Sequence, residues 1–298
     1  MSPKIAILGA AGMLGHKMFQ RLRAAFPGVV ASMRKPAASP PFDRIELLQG
    51  YDVRSGMDAT DFEALSSWLS EIRPDYIVNC IGVIKQRPIA QEAIPTITIN
   101  ALLPHRLAAL AAGWNGRLIH FSTDCVFSGT RGAYTEEDES DAHDLYGRSK
   151  FLGEAAGGNA LTLRTSIIGR EIIGHRSLLD WFLSQKGHSV RGFRRVIYSG
   201  VTTNHLADLV ADIIRNHSGL SGLYQAASSP ISKYDLLCLL RDAYSLDVEI
   251  TPEDTEQSDR SMIGQKLHRA IGYTAPSWRE LLNQLATDRT PYESWISQ

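Results

Sequence analysis

Two groups of residues in this chain have the types and the spacing to act together on a nucleotide-dependent reaction. The first is Gly9-Ala-Ala-Gly12-Met13-Leu14-Gly15, which follows the apolar run Lys4–Leu8 and opens a helical pattern. In such a strand-turn-helix the first glycine makes a tight turn and the second lets the backbone approach a pyrophosphate. The third lets helix and strand pack closely, and the amides of the helix start, around Met13 and Leu14, face the phosphates. The second group is Tyr146-Gly-Arg-Ser-Lys150, with Ser122-Thr123-Asp124 ending an earlier apolar run. Residues i and i+4 share a helix face, so the Lys150 ammonium can lower the proton affinity of Tyr146 and hold a ribose. A phenol so placed can pass a proton to a carbonyl oxygen while hydride arrives from a nicotinamide. Thr123, at the carboxyl end of its strand, can polarise the same carbonyl.

These residues need elements to position them. Short runs rich in Ile, Val and Leu predict strands over Lys4–Leu8, Val29–Met33, Ile45–Leu48, Tyr76–Ile81, Leu118–Ser122 and Leu161–Thr165. Amphipathic patterns between them predict helices over Leu14–Ala25, Asp61–Ile72, Pro95–Ala112 and Asp144–Ala156. The alternation argues for an α/β fold with a doubly wound parallel sheet. After about Ser166 the rhythm loosens into helices at Ser177–Gln185, Thr203–Asn216, Ser232–Ala243 and Pro276–Ala286, with short strands at Gly222–Ala227 and Val248–Ile250. The expected organisation is therefore a dinucleotide-binding unit over 1–165, to which part of about 196–220 returns, and a smaller mixed α/β substrate-binding cap over 166–298.

The end of the second strand bears on the cofactor. An acidic residue there would hold a ribose 2′-hydroxyl, whereas Arg34 and Lys35 suit a 2′-phosphate, so NADPH is expected over NADH. Asp52 and Val53 follow the predicted third strand, where they would lie beside the adenine or cap the next helix. In the second half, Arg191, Arg194 and Arg195 could clamp a sugar-nucleotide diphosphate or form a solvated basic face.

Bulk properties exclude several classes. The chain has 298 residues, long enough to bury a core without metal or disulfide staples, and its net charge of −1 gives no ground for nucleic-acid or anionic-membrane binding. Three widely spaced cysteines, Cys80, Cys125 and Cys238, form neither a disulfide framework nor a zinc motif and point to a reducing compartment. No apolar run approaches a membrane span, and the N-terminal apolar stretch is too short for a signal sequence, so a cytoplasmic location is expected. Glu136–Glu139 reads as a solvated acidic loop rather than a metal site, with no histidine at ligand spacing.

The glycine turn, the Tyr146/Lys150 pair and the phrase Phe121-Ser-Thr-Asp-Cys-Val-Phe-Ser-Gly129 resemble the extended short-chain dehydrogenase/reductases, most of all the dTDP-4-dehydrorhamnose reductase branch. The resemblance continues through Tyr134–Asp138, Tyr146–Glu154 and Leu163–Ser166, and more loosely through Asp259–Ser261 and Pro276–Trp278. It implies a Rossmann-type fold, a catalytic set of Thr123, Tyr146 and Lys150, and an Asn100 that supports the lysine through water. Asn79-Cys80-Ile81-Gly82 matches the turn that lines the cofactor. Thr123, Asp124, Cys125 and Arg260 fall where substrate is held, with Cys125 standing where those reductases commonly have tyrosine. The segment Ser258–Met262 lacks the Arg-Pro form usual near the nucleotide.

The expected activity is thus an NADPH-dependent reduction of a 4-keto-6-deoxy sugar nucleotide, without metal, by a protein that could form a homodimer. Two alternatives remain open at this point. One is an epimerase or dehydratase of the same fold, although the Asp-Glu pair expected of a dehydratase is missing after Thr123. The other is a non-catalytic dinucleotide-binding regulatory subunit, against which the intact Tyr146/Lys150 pair argues.

Overall fold

A computed structural model describes residues 2–85, 91–173 and 177–296. The first half alternates as the sequence predicts: β1 (Lys4–Leu8), α1 (Met13–Ala25), β2 (Gly28–Ser32), β3 (Val53–Arg54), α2 (Phe62–Ile72), β4 (Tyr76–Asn79), α3 (Ala93–Ile97), α4 (Leu103–Ala112), β5 (Arg117–Ser122), α5 (Leu145–Leu152) and β6 (Ala160–Arg164). The second half adds β7 (Ile167–Ile168), α6 (Leu178–Leu183), β8 (Ser189–Phe193), β9 (Val196–Tyr198), β10 (Val201–Thr202), α7 (Thr203–Asn216), β11 (Gly222–Gln225), β12 (Ile231–Ser232), α8 (Lys233–Tyr244), β13 (Glu249–Glu253), β14 (Ser258–Asp259), α9 (Gln265–Ile271), α10 (Trp278–Ala286) and α11 (Tyr292–Ile296).

Seven parallel strands form the main sheet in the order β11-β6-β5-β4-β1-β2-β3. Strands β4 and β6 are buried at every residue, as apolar runs covered on both faces must be. One face packs on α1 and α7, with Met18, Phe19, Leu22, Leu206 and Val210 in its core. The other packs on α2 and α4 through Leu65, Leu69, Leu103 and Leu107. A third core lies in the cap, where Leu236, Leu240, Leu281 and Leu285 join α8 to α10 over β8 and β13.

Two sequence expectations change. Ile45–Leu48 is not the third strand: Glu46–Leu48 is a 3-10 turn, and Ile45 and Leu48 are both buried on one side of it. The i, i+3 spacing of those apolar residues serves a helical turn as well as a strand, and the pairing edge goes instead to Val53 and Arg54. The return to the main sheet also extends further than residue 220. Helix α7 covers α1, and β11, which the sequence reading left in the cap, pairs with β6 as the seventh strand.

The C-terminal segment also returns to the first unit. Lys17, fully buried on α1, donates to Asp288 Oδ2 at 2.5 Å and to Thr290 Oγ1 at 2.8 Å. His16 beside it bonds the Tyr292 hydroxyl through Nε2 and the Gly12 carbonyl through Nδ1. Burial would raise the Asp288 carboxyl, but the Lys17 hydrogen bond and charge outweigh it and hold it at about 2. An acid whose folded value lies below its unfolded value stabilises above the unfolded value, about 4, and loses that contribution as pH falls toward 2. Asp288→Asn should therefore cost roughly 3–5 kcal/mol at neutral pH by leaving a buried ammonium without its counter-charge. Urea denaturation at pH 7 and across pH 5 to 2 checks this: the wild-type advantage should shrink over the acid range.

Candidate active site

The site lies along the carboxyl ends of β1, β4, β5 and β6, where an open α/β sheet gathers its ligands. After β1, the amides of Gly9 and Ala10 both donate to the Ser32 carbonyl, so the glycine turn is tied to the end of β2. Gly9 has φ +87°, which an L side chain rarely adopts, and a Cβ on Gly15 would lie 2.0 Å from the Gly9 oxygen. Helix α1 starts at Gly12 with no side-chain cap and no acidic residue in its first turn. The amides of Met13, Leu14 and Gly15 precede the first possible intrahelical acceptor and leave a concave, positively polarised cradle. This backbone fits a dinucleotide pyrophosphate.

Arg34 and Lys35 follow β2 and are exposed at the same edge, one residue beyond Met33, whose carbonyl accepts from Met57 N. That bond brings in Asp58, a residue the sequence reading passed over because it placed the third strand too early. The Asp58 carboxyl is held below the ordinary range by hydrogen bonds from Thr60 and by the charge of Arg34. Val53 is on β3 itself. Asp52 turns toward α1, 3.1 Å from Arg23 Nε, instead of standing free at the cofactor edge. Cys80 is half-buried after β4, its amide bonded to the Leu8 carbonyl, and burial pushes its thiol up. Ile81 N donates to Asn79 Oδ1, and Gly82 lies beside Asn100.

Thr123 leaves β5 as the cap of a short 3-10 turn. Its Oγ1 accepts from Cys125 N at 3.1 Å and donates to Asp124 Oδ1 at 3.0 Å. Helix α5 begins opposite, capped by Asp144, whose carboxylate accepts from Gly147 N and from Lys85. A Cβ at Gly147 would lie 2.3 Å from the Cys125 carbonyl oxygen, so α5 meets the Thr123 turn only because that position is glycine. Tyr146 thereby comes beside Thr123. Burial pushes the phenol above its usual range, the Cys125 thiolate form would add to this, and a hydrogen bond with Thr123 works against it. Burial likewise raises Asp124, and it raises Cys125 to about 12, so that thiol stays protonated.

Lys150 is not among the groups that act most strongly on Tyr146, whose shift is dominated by burial. Its Nζ donates to the Phe121 carbonyl at 2.6 Å and lies 3.4 Å from His120 Nε2. Burial brings it down to about 8, with Glu154 pulling upward. Asn100 is fully buried in a π-helical turn, Thr98–Leu102, between α3 and α4. Its amide clamps Val83 through N and O and reaches Ser149 Oγ at 3.3 Å, next to Lys150 in the chain.

Of the cap arginines, Arg260 reaches the site. It donates to the carbonyls of Phe127 and Ser128, and its charge acts on Asp124 and Cys125. Arg191 is exposed near Glu253, and Arg194 and Arg195 are bonded at the surface to Asp254 and Gln257. Their basic stretch is matched by acidic and amide groups on and after β13. Sequence reasoning also missed His120 and the buried pair Arg164–Glu154, joined by two bonds of 2.7 Å. A histidine inside a strand buried on both faces was the available signal. Among the described residues no cluster of His, Cys, Asp and Glu suits a metal, and no helix is long and apolar enough to cross a membrane.

Residues 3–290 match the family described as the RmlD substrate binding domain. The chain belongs to that family. The spore coat polysaccharide biosynthesis protein SpsK of Bacillus subtilis is 25% identical over 300 residues, covering 96% of this chain and 98% of that protein. Methionine adenosyltransferase 2 subunit beta of Rattus norvegicus is 27% identical over 270 residues, covering 82% and 73%. Among solved structures, a dTDP-4-dehydrorhamnose reductase from Bacillus anthracis in complex with NADP superposes with a TM-score of 0.80 at 20% identity, covering 96% of this chain and 99% of that one. The family match runs through β11, the seventh strand of the main sheet.

Gly15→Ala should destabilise this RmlD-family chain by about 1–3 kcal/mol, because the added methyl meets backbone that cannot rotate away. A lowered urea midpoint with an unchanged slope checks it.

Proposed function

We propose that this chain is an NADPH-dependent reductase of a 4-keto-6-deoxy sugar nucleotide. The single observation that carries the reading is the meeting of Tyr146 and Thr123 across the Gly147 contact, at the sheet edge that also holds the uncapped glycine turn. The likeness to the Bacillus anthracis dTDP-4-dehydrorhamnose reductase, whose structure contains NADP, and to SpsK, a spore coat polysaccharide biosynthesis protein, supports the substrate class.

In this reading NADPH, when bound, supplies the hydride. The α1 amides hold its pyrophosphate, and Arg34 and Lys35 its 2′-phosphate. Tyr146 gives its proton to the sugar carbonyl oxygen. A phenol with raised proton affinity is a weaker acid at rest, so an ammonium nearby must make the transfer favourable, and Lys150 is the cation on the same helix face. Thr123 turns its hydroxyl from Asp124 to the developing oxyanion. Arg260, fixed by two carbonyls, presents the charge that faces an anionic substrate, and Cys125 leaves space where a larger side chain would narrow the pocket. We place reaction and location together in the cytoplasm, where nucleotide sugars and NADPH meet.

The methionine adenosyltransferase subunit relatives favour a second reading, a dinucleotide-binding regulatory subunit. Turnover separates the two. Tyr146→Phe should lower kcat by about 10²–10⁴-fold with NADPH affinity nearly unchanged, measured by anaerobic NADPH oxidation against a panel of 4-keto sugar nucleotides. No oxidation by the wild type with any of them supports the regulatory reading. For the cofactor, NADPH should bind more tightly than NADH, and Arg34→Ala should weaken NADPH by roughly tenfold while leaving NADH as it was. Dissociation constants for both nucleotides at low and physiological salt test this.

A further inference from the structure

Parallel pairing of β4 and β5 sets Asn79 directly beside His120, so both side chains leave the same face of the sheet. Both are buried, at 1% and 0% exposure, and Lys150 packs over them at 6%. The amide orientation of Asn79 is decided by its other bond. Oδ1 accepts from Ile81 N at 3.1 Å, which leaves Nδ2 to face His120 Nδ1 at 3.2 Å. Nδ2 can only donate, so Nδ1 must accept, and the imidazole proton sits on Nε2. Nε2 lies 3.4 Å from Lys150 Nζ. An N–H aimed at an amine meets a lone pair if the amine is neutral and meets another N–H if it is an ammonium.

We infer that Asn79 and His120 act as a pair behind the lysine, fixing the imidazole as a donor that disfavours the Lys150 ammonium, so that this lysine gives up its proton more readily than an ordinary one until a ligand on its other side stabilises the charged form. His120 is thus a positioning residue, acting only through Lys150. The inference rests on the proposed role of Lys150 in holding a nucleotide ribose and assisting Tyr146, and it adds that nucleotide binding takes up a proton there. The groups facing the pair fit this. Glu154, two residues past the end of α5, is the carboxylate that acts on Lys150 among the described residues, and its two oxygens are already engaged by Arg164 on β6 and Ser122 on β5. From α4, His105 acts on His120 against a positive charge, as Lys150 itself does. Thr162, the β6 neighbour of His120, is uncharged and bonds the Ala155 carbonyl. Burial keeps His120 neutral and holds Lys150 near 8.

The test needs no substrate. In the full-length wild-type protein, long-range ¹H–¹⁵N spectra should show His120 as the Nε2–H tautomer, and the Lys150 side-chain signal, identified by its loss in Lys150→Met, should titrate near pH 8. Asn79→Asp keeps the shape and the Ile81 bond but reverses the polarity toward Nδ1. It should convert His120 to the Nδ1–H tautomer, and Lys150 should then titrate at least one unit, or tenfold in proton affinity, higher. In the Asn79→Asp/His120→Phe double variant most of that shift should vanish relative to His120→Phe alone. An Nδ1–H tautomer in the wild type overturns the inference without any variant. So does an undiminished shift in the double variant, which would mean that the new carboxylate acts directly through space. NADPH titrations in buffers of different ionisation enthalpy supply the functional arm, with net proton uptake expected at pH 8.5 in the wild type and little in Asn79→Asp. Binding without uptake in the wild type overturns the inference. An absence of NADPH binding at every pH instead removes the proposed function, leaving the tautomer and titration results to decide the pair.

Discussion

The approach of α1 to the end of β1 is the contact on which the rest is built. Its distance is set by backbone: at Gly15 there is no room for a methyl group against the Gly9 carbonyl. Drawing the helix that close brings its uncapped amides to the sheet edge and buries its flank beneath α7. The same closeness puts His16 and Lys17 in the interior, where their polar atoms require partners. The C-terminal segment supplies those partners through Asp288, Thr290 and Tyr292, so the last turn of the chain braces the first.

Desolvation governs the opposite side of the edge. Tyr146, Asp124, Lys150 and His120 all have their charged forms disfavoured by burial. A site in this state holds little fixed charge of its own near the reacting position, and the charge of a bound anionic ligand then acts with little screening. Arg260 and the surface pair Arg34 and Lys35 stand outside this dry region, where a phosphate-bearing ligand can meet cations without a buried, unpaired charge waiting in its absence.

The cap is fastened by a loop exchange. Asp259 N donates to the Gly129 carbonyl, Tyr134 N to Ser261 and Ile263 N to Tyr134, with Phe127 and Tyr134 stacked at 4.1 Å beneath them. This seam begins within a few residues of Thr123 and ends next to Arg260, so the geometry of the cap and that of the Thr123 turn are not independent.

Local patterns carried much of this in the sequence itself. The glycine spacing, the i, i+4 tyrosine and lysine, and doubly buried runs such as Tyr76–Asn79 are short-range signals that a single strand or helix imposes on its residues, and they were enough for most of the sheet and for the glycine turn. Pairing and polarity over long range were not legible. Whether Ile45–Leu48 or Val53–Arg54 became the third strand depended on which segment reached β2, and β11 joined the main sheet only because β6 offered it an open edge. Arg191, Arg194 and Arg260 are alike in sequence, but acids at the end of β13 occupy the first two while two carbonyls fix the third at the site. The direction in which His120 points its proton is set by the register of β4 against β5 and by one amide bond from Asn79, contacts between residues 41 apart that only the folded chain brings together.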